Sequence, residues 1–205
     1  MGYSDLREWI KTLEGEGELA RVKAKVDWNL ELGGVAQENF DRRGPALLFE
    51  NIKDHENTKC TKFFTCSLSS FRRMALMLGM PKETPYRDLV QIWRERSRNP
   101  TKPVVVDTGP CKQNILKGDD VDLFQFPTPW WHDRDGGRYI GTFDGVITSD
   151  PETGWMNVGL YRRMIHDKNH TGLTIPVGQH VWQNWRKHRK GGEKKLPVSI
   201  AIGWD

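Results

Sequence analysis

Apolar residues spaced three and four positions apart predict helices in the first half of the chain. One stripe runs from Leu6 through Trp9 to Leu13 behind Ser4, a candidate N-cap, and nearby glycines end it. Another is the stripe of Phe71, Met74, Ala75 and Leu78, which opens near Ser69 or Ser70 and stops at Gly79. The same pattern predicts helices from Asn29, as the N-cap, to Phe40 and from Tyr86 to Arg96.

Short apolar runs predict strands. The runs 45–50 and 62–67 are typical of strands, the first of them buried, and β-branched residues dominate 103–107. From there to Val177, strand-like segments alternate with glycine, proline and aspartate turns, and segments 138–149 and 155–164 predict a hairpin around a turn at 150–154. We therefore expect an α/β (α+β) fold, with a mixed α/β domain at 1–110 and a β-rich domain at 111–205.

Composition narrows the classes of protein. A chain of 205 residues with 37% hydrophobic and 28% charged residues is typical of a globular protein. The net charge of +4 is spread among interspersed acids and bases, so no nucleic-acid partner is expected, and a nucleic-acid module is the third-ranked alternative. Neither a membrane span nor a signal-peptide core is found, which predicts a cytoplasmic protein. Three cysteines, Cys60, Cys66 and Cys111, are expected to be free and mostly buried thiols.

Several polar clusters suggest chemistry but have a simpler interpretation. His166 and His170 have zinc-pair spacing, yet Asp167 stands where a metallohydrolase needs glutamate, and the pattern favours a turn between strands. His132 is expected to lie in a satisfied polar loop, and Trp130 and Trp131 are expected to pack. The basic run 186–190, with lysines at 194 and 195, is interpreted as a solvated helix face and loop rather than a phosphate or membrane grip.

The segment from Phe126 to His180 concentrates an amide, arginines and an imidazole among glycines and aromatics, a composition suited to a phosphate-bearing cofactor. On an ideal strand Asn157 and Tyr161 share one face and Arg162 lies on the other, so Asn157 and Arg162 converge only through a twist or bulge. Spacing alone leaves open that Arg162 and Arg163 are outer-face charges and Asn157 a turn residue.

At these residues the chain resembles the UbiD family of decarboxylases, which use prenylated flavin mononucleotide (prenylated FMN). The resemblance runs from Asp-Leu-Arg-Glu-Trp-Ile at 5–10, through Gly-Pro-Ala-Leu-Leu-Phe-Glu-Asn at 44–51, to Pro-Val-Ser-Ile-Ala-Ile-Gly at 197–203. Its most specific piece is Asn-Val-Gly-Leu-Tyr-Arg at 157–162, which matches the family's Asn-x-Gly/Ser-x-x-Arg motif. It implies that 111–205 is the first, incomplete part of a split β-barrel that binds prenylated FMN.

The resemblance also implies roles for individual residues. Asn157 and His180 correspond to ligands of a divalent ion, Mn²⁺ with K⁺ left open, that bridges the cofactor phosphate. Arg162 corresponds to a catalytic residue that contacts the flavin and binds the substrate carboxylate. The positions implied to contact the cofactor are Leu160, Tyr161, Arg162, Thr174, Ile175, Pro176, Gln179 and His180, with Thr142 as a weaker candidate.

The implied reaction is the reversible, non-oxidative decarboxylation of an aromatic or α,β-unsaturated acid, in which the cofactor accepts electrons as the carboxylate leaves. In the family the catalytic acid and a further metal ligand lie beyond the matched segments, so we expect the isolated chain to be inactive or very weak. The apolar strand of Val198, Ile200 and Ile202 needs covering neighbours, which predicts a homo-oligomer or a partner that supplies the remainder. The alternative is a non-catalytic cofactor-binding or assembly subunit.

Overall fold

The computed structural model describes residues 2–203, and it contains five helices and nine strands within that range. The helices are α1 (Leu6–Gly15), α2 (Glu31–Asp41), α3 (Phe71–Met77), α4 (Tyr86–Ser97) and α5 (His180–Lys190). The strands are β1 (Leu19–Val22), β2 (Ala46–Phe49), β3 (Phe63–Thr65), β4 (Tyr139–Gly141), β5 (Gly145–Ser149), β6 (Met156–Gly159), β7 (Arg163–Ile165), β8 (Thr171–Leu173) and β9 (Ser199–Ala201). They form three three-stranded sheets, in the orders β1-β2-β3, β4-β7-β8 and β6-β5-β9.

The first sheet carries the best-packed core. Strand β2 runs parallel to β1 and antiparallel to β3, and all four of its residues are buried. Leu47 and Phe49 pack with Leu32 of α2, whereas Ala46 packs with Leu13 of α1. Both faces of the strand are covered, which explains why its sequence is an unbroken apolar run.

Two helix starts differ from the sequence prediction. Asp5, not Ser4, is the N-cap of α1, because its carboxylate accepts the backbone N–H of Glu8 at 2.9 Å. Ser4 instead donates its hydroxyl to the Glu8 carboxylate at 2.7 Å. Leu30, not Asn29, occupies the N-cap position of α2, in a left-handed conformation with φ of 68°. Asn29 instead forms an isolated parallel β-bridge with Trp130.

The structure confirms one further prediction for the first half of the chain, corrects another and adds one strand. Helix α3 begins after its N-cap Ser70, which agrees with the predicted start near Ser69 or Ser70. Phe71, in contrast, is 55% exposed and packs against Tyr86, with 4.5 Å between ring centroids, so its assignment to the buried face is wrong. Strand β1 was not anticipated. With four residues and a half-buried pattern, Leu19–Val22 gives too short a signal for either period.

The β-branched run 103–107 forms no strand, although its composition predicted one. Val104, Val105 and Val106 are exposed, and the described chain has only short 3₁₀ turns between α4 and β4. β-branched residues favour extended backbone, but a strand also needs a partner edge, and none lies beside this run.

Each of the two long predicted strands is in fact two short ones. The chain breaks at 142–144, between β4 and β5, and again at 160–162, between β6 and β7, and it passes from one sheet to another at both places. The turn at 150–154 is confirmed, with the Gly154 N–H donating to the Asp150 carbonyl at 2.8 Å. The architecture is mixed α/β, and the described residues form no closed barrel.

The second half packs back onto the first sheet. Trp131 joins the core cluster of Leu47 and Phe49, as expected for a packing tryptophan, and a Cβ on Gly33 would lie 2.4 Å from the Trp131 carbonyl oxygen. Arg138 lies over the Trp28 ring at 4.1 Å and contacts His55 Nε2 at 3.2 Å. Burial, and then the charge of Arg138, lower the pKa of His55.

The cysteines carry no disulfide. Cys60 and Cys66 are half-buried free thiols, whereas Cys111 is exposed, which corrects the expectation that the thiols are mostly buried. Within residues 2–203, none of the helices combines the length and apolar character that crossing a membrane requires.

Candidate functional site

Helix α5 covers one face of the hairpin formed by β5 and β6. Val181 of α5 packs with Val146 of β5 and with Tyr161, and all three are buried. In the pairing of β5 with β6, Val146 lies opposite Gly159 and Thr148 lies opposite Asn157, so these four residues share the face beneath the helix. The opposite face carries Val158, which is exposed.

Asn157 is buried in this layer with only 7% of its surface exposed. Its cross-strand partner Thr148 accepts a hydrogen bond from Asn184 of α5 at 3.0 Å, but the side-chain Nδ2 of Asn157 has no hydrogen-bond partner among the described residues. A buried amide with unused bonding capacity is costly unless something else binds it. It is therefore not the turn residue that the alternative interpretation allowed.

His180 begins α5 beside the strand that carries Asn157. Its ring lies edge-on to Trp155, with 5.0 Å between ring centroids, and Trp155 comes two residues before Asn157. The His180 ring therefore contacts a residue close in sequence to Asn157, the other predicted metal ligand.

Arg162 lies in the break between β6 and β7, with its side chain exposed between two buried neighbours. Tyr161 is 7% exposed and Arg163 4% exposed. The opposite exposure of Tyr161 and Arg162 agrees with the alternation expected from the sequence. Arg163, in contrast, is not an outer-face charge: its Nε donates to Asp144 Oδ2 at 2.8 Å in a buried ion pair.

The other predicted contact positions lie in the connection from β8 to α5 and in the two breaks between strands. Thr174, Ile175, Pro176 and Gln179 form an exposed connection from β8 to α5, and Leu160 and Thr142 are exposed in the two breaks between strands. One direct contact joins these segments: the Thr174 N–H donates to the Arg162 carbonyl at 3.1 Å. The sequence analysis did not identify Asp144 or predict the burial of Arg163. Their pairing depends on the two breaks between strands, at 142–144 and 160–162, which the sequence pattern did not predict.

Ion pairs hold the C-terminal part of α5 to the turn between β5 and β6. Lys187 Nζ contacts Asp150 Oδ2 at 2.6 Å and Glu152 Oε2 at 2.9 Å in the turn between β5 and β6. The hydrogen bond from Lys187 lowers the pKa of Asp150. Arg186 and Arg189 lie over the rings of Trp182 and Trp185, in agreement with a solvated basic face on this helix.

An amide oxygen and an imidazole are suitable donors for Mn²⁺, so Asn157 can bind such an ion through Oδ1. Its unpaired Nδ2 is a hydrogen-bond donor, which suits an acceptor such as a phosphate oxygen. Asn157 and His180 supply only part of a coordination shell. Residues 2–203 contain no group of three histidine, cysteine, aspartate or glutamate side chains that could hold an ion.

Other candidate sites have simpler explanations. His170 Nδ1 contacts Asp167 Oδ1 at 2.9 Å in the turn between β7 and β8, as the strand-turn interpretation predicted. His132 contacts Asp135 within its own loop. Two surface hollows, of about 460 and 600 Å³, are lined by residues 119–121 with 167–169 and by residues 95–101, and neither contains a predicted site residue.

Sequence profiles identify two domains of one enzyme family. The profile of the UbiD 3-octaprenyl-4-hydroxybenzoate carboxy-lyase Rift-related domain matches residues 102–205, and that of the corresponding N-terminal domain matches residues 10–93. Pyrrole-2-carboxylic acid decarboxylase of Pseudomonas aeruginosa is 34% identical over 97% of this chain. The chain spans 41% of that relative's length.

Solved structures give the same result. The closed form of vanillic acid decarboxylase from Sedimentibacter hydroxybenzoicus superimposes with a TM-score of 0.89 at 31% identity, over 100% of this chain and 44% of that one. An evolved dimeric form of the UbiD-class enzyme HmfF from Pelotomaculum thermopropionicum, in complex with prFMN, gives 0.85 at 27% identity, over 98% of this chain and 45% of that one. With one profile covering half of the sequence and a second covering most of the remainder, the chain belongs to the UbiD carboxy-lyase family.

Proposed function

We propose that this chain provides the residues that bind prenylated FMN and the substrate carboxylate in a carboxy-lyase that reversibly decarboxylates an aromatic or α,β-unsaturated acid. Relatives named as decarboxylases of pyrrole-2-carboxylic, ferulic and phenolic acids support the reaction class. A neighbouring structure in complex with prFMN supports the cofactor.

The observation that carries the proposal is the buried amide of Asn157, which has an unpaired nitrogen and lies under the helix that begins with His180. We assign Asn157, through Oδ1, and His180 as the residues that would hold a Mn²⁺ ion beside the cofactor phosphate, with K⁺ as a second candidate ion. The unpaired Nδ2 of Asn157 and the N–H groups in the first turn of α5 would then be available to donate to the phosphate itself.

Arg162 is assigned to the substrate. Its exposed guanidinium can bind a carboxylate through two parallel hydrogen bonds and hold it in one orientation. Leu160, Tyr161, Thr174, Ile175, Pro176 and Gln179 are assigned to the cofactor, with Thr142 at its phosphate end. When bound, prenylated FMN supplies the electron sink for loss of carbon dioxide, and the protein contributes orientation, charge and exclusion of water.

Following the family resemblance, protonation of the product carbon is assigned to a carboxylic acid outside residues 2–203. The carboxylate of Asp144 is already paired with Arg163. Exposed apolar side chains, among them Val158, Ile175 and Val177, also require a covering surface, from a second copy or another chain. We therefore expect the 205-residue chain alone to turn over little or no substrate.

Co-expression with a flavin prenyltransferase tests this function. We expect the purified chain to retain prenylated FMN, detected by absorbance and mass spectrometry, and to bind benzoate or cinnamate through Arg162. Arg162→Met should weaken carboxylate binding by about tenfold or more, as loss of a bidentate contact predicts. Arg186→Met, which removes an exposed guanidinium from α5, is the matched control. Rapid carbon dioxide release by the chain alone would contradict the assignment of the acid to another segment.

The alternative is a non-catalytic subunit that binds cofactor or assembles a complex. The exposed apolar row of Val198, Ile200 and Ile202 favours association in either case. Retention of flavin without carboxylate binding would select a cofactor-binding subunit, and failure to bind flavin together with stable association with another protein would select an assembly subunit. Failure to bind flavin and failure to associate would contradict both functions.

A further inference from the structure

A buried ion pair joins the two places where the chain crosses between the second and third sheets. Asp144 ends the break between β4 and β5, and Arg163 begins β7 directly after the break that follows β6. Their side chains are only 2% and 5% exposed. The backbone of β4 lies against the pair, because a Cβ on Gly141 would come within 2.9 Å of Arg163 Nε and of both Asp144 oxygens.

The segment beside this pair is fixed at several points, yet it leaves one side chain free. The Tyr161 hydroxyl accepts the Val181 N–H at 3.5 Å, and the Arg162 carbonyl accepts the Thr174 N–H at 3.1 Å. Between the buried Tyr161 and the buried Arg163, the side chain of Arg162 is exposed.

Two adjacent arginines create an ambiguity that the fold must resolve. Successive residues of an extended chain point to opposite faces, so a slip of one residue would bury Arg162 and expose Arg163. The neighbours distinguish the two registers, because a slip would expose Tyr161 and Ile165, which are buried on either side of Arg163. The register that buries these apolar neighbours also places a guanidinium inside, and Asp144 supplies the partner that a buried guanidinium needs.

We propose that Asp144 and Arg163 are positioning residues that stabilise the register in which Arg162 faces outward. This inference rests on the proposed role of Arg162 in binding the substrate carboxylate.

The energetics of the pair agree with a role in specificity. Asp144 Oδ1 and Arg163 Nη2 are both buried without a hydrogen-bond partner among the described residues. A buried pair with unfilled hydrogen bonds typically stabilises a fold no more than apolar side chains of the same volume would. Its effect is instead specific to position 163, because a guanidinium inside the fold is tolerated only where a carboxylate such as Asp144 faces it.

The test compares Asp144→Asn with Glu18→Gln, a matched control at another buried arginine. Glu18 Oε2 contacts Arg73 Nη1 at 2.9 Å, and the Arg73 side chain is 2% exposed. Both substitutions leave a buried guanidinium without its counter-ion, but only Asp144 lies beside Arg162. The readout is amide hydrogen exchange of Thr174, followed by NMR on the chain without cofactor, because this amide bonds directly to the Arg162 carbonyl.

In Asp144→Asn we expect exchange at Thr174 to accelerate by about tenfold or more, while Glu18→Gln leaves it within about twofold of the wild type at comparable thermal stability. Equal exchange at Thr174 in the two variants would overturn the proposal.

A double variant separates the positioning role from general stability. In Asp144→Leu with Arg163→Leu, the apolar side chain at 163 needs no counter-ion and stays inside with Tyr161 and Ile165, so the protection of Thr174 should return to within about threefold of the wild type. Exchange as fast as in Asp144→Asn would contradict the positioning role of the pair.

Ligand binding distinguishes the inference from the function on which it rests. Titration of the flavin-loaded protein with benzoate should show about tenfold weaker binding in Asp144→Asn and unchanged binding in Glu18→Gln. If the wild type binds no benzoate, the proposed function fails, whereas binding that is equal in all three proteins overturns only the positioning role.

Discussion

At the scale of single residues, a glycine and a tyrosine shape the layer that holds Asn157. A Cβ added to Gly159 would lie 2.4 Å from Tyr161 Cε2, so the ring covers the glycine directly. Any side chain larger than that of glycine at this position would meet the ring two residues later. Periodicity placed Asn157, Gly159 and Tyr161 on one face, but it could not reveal this contact.

Gly159→Ala should therefore destabilise the protein. Tyr161 must move out of a packed cluster, which costs about 1–3 kcal/mol in the free energy of unfolding. Gly34→Ala is the matched control: it lies inside α2 with open space around its Cβ position, and it should stabilise by about 0.5–1 kcal/mol. Urea denaturation measures both changes, and a neutral Gly159→Ala would show that the ring does not constrain this site.

At the scale of elements, helix α5 is fixed to the hairpin by polar as well as apolar contacts. Asn184 is 3% exposed and donates to the hydroxyl of Thr148, which is 2% exposed. The basic run in the sequence predicted the helix and its solvated face. No sequence pattern indicated that Asn184 would bond to a strand residue 36 positions away, because such a contact depends on how the helix docks.

Asn184→Ala should weaken the fold by about 1–3 kcal/mol, because the Thr148 hydroxyl is left buried without a partner. Replacing both residues, by Thr148→Val with Asn184→Leu, should recover most of that loss since no polar group remains unpaired. Thermal unfolding of the three proteins provides the measurement. A double variant that is no more stable than Asn184→Ala would argue against the hydrogen bond as the cause.

The strand breaks are the part of the site that periodicity missed. Segments 138–149 and 155–164 were each predicted as one strand, because apolar and small residues continue across 142–144 and 160–162. Sequence patterns report which face a residue occupies and not which sheet it belongs to. The transfer between sheets becomes visible only through partners distant in sequence, such as Arg163 with Asp144.

At the scale of the whole molecule, Arg138 connects the second half to the first. It stacks on Trp28, donates to the Thr128 carbonyl at 2.7 Å and contacts His55 Nε2 at 3.2 Å. Thr58 Oγ1 lies 3.2 Å from the other ring nitrogen, Nδ1. A neutral imidazole with its proton on Nδ1 satisfies both contacts, whereas a protonated ring would place a positive charge against Arg138.

Stability should therefore fall in mild acid. The pKa of His55 is lowered in the folded state, so the contribution of the neutral ring is complete above the ordinary value near 6.5 and is lost as pH falls towards the folded-state value. Asp54 and Glu56 nearby act in the opposite direction but do not reverse the shift. Unfolding free energies of the wild type and His55→Gln between about pH 5 and 8 should converge at low pH. A constant difference across that range would contradict this linkage.

The shared ion site is tested by the affinity of the purified chain for prenylated FMN, measured with and without Mn²⁺. We expect Mn²⁺ to strengthen binding in the wild type and in Glu18→Gln, and we expect Asn157→Ala to remove this metal dependence while the protein remains folded. Equal affinity with and without Mn²⁺ in the wild type would contradict the assignment of Asn157 and His180 to a shared ion. The same metal dependence in Asn157→Ala as in the wild type would contradict it as well.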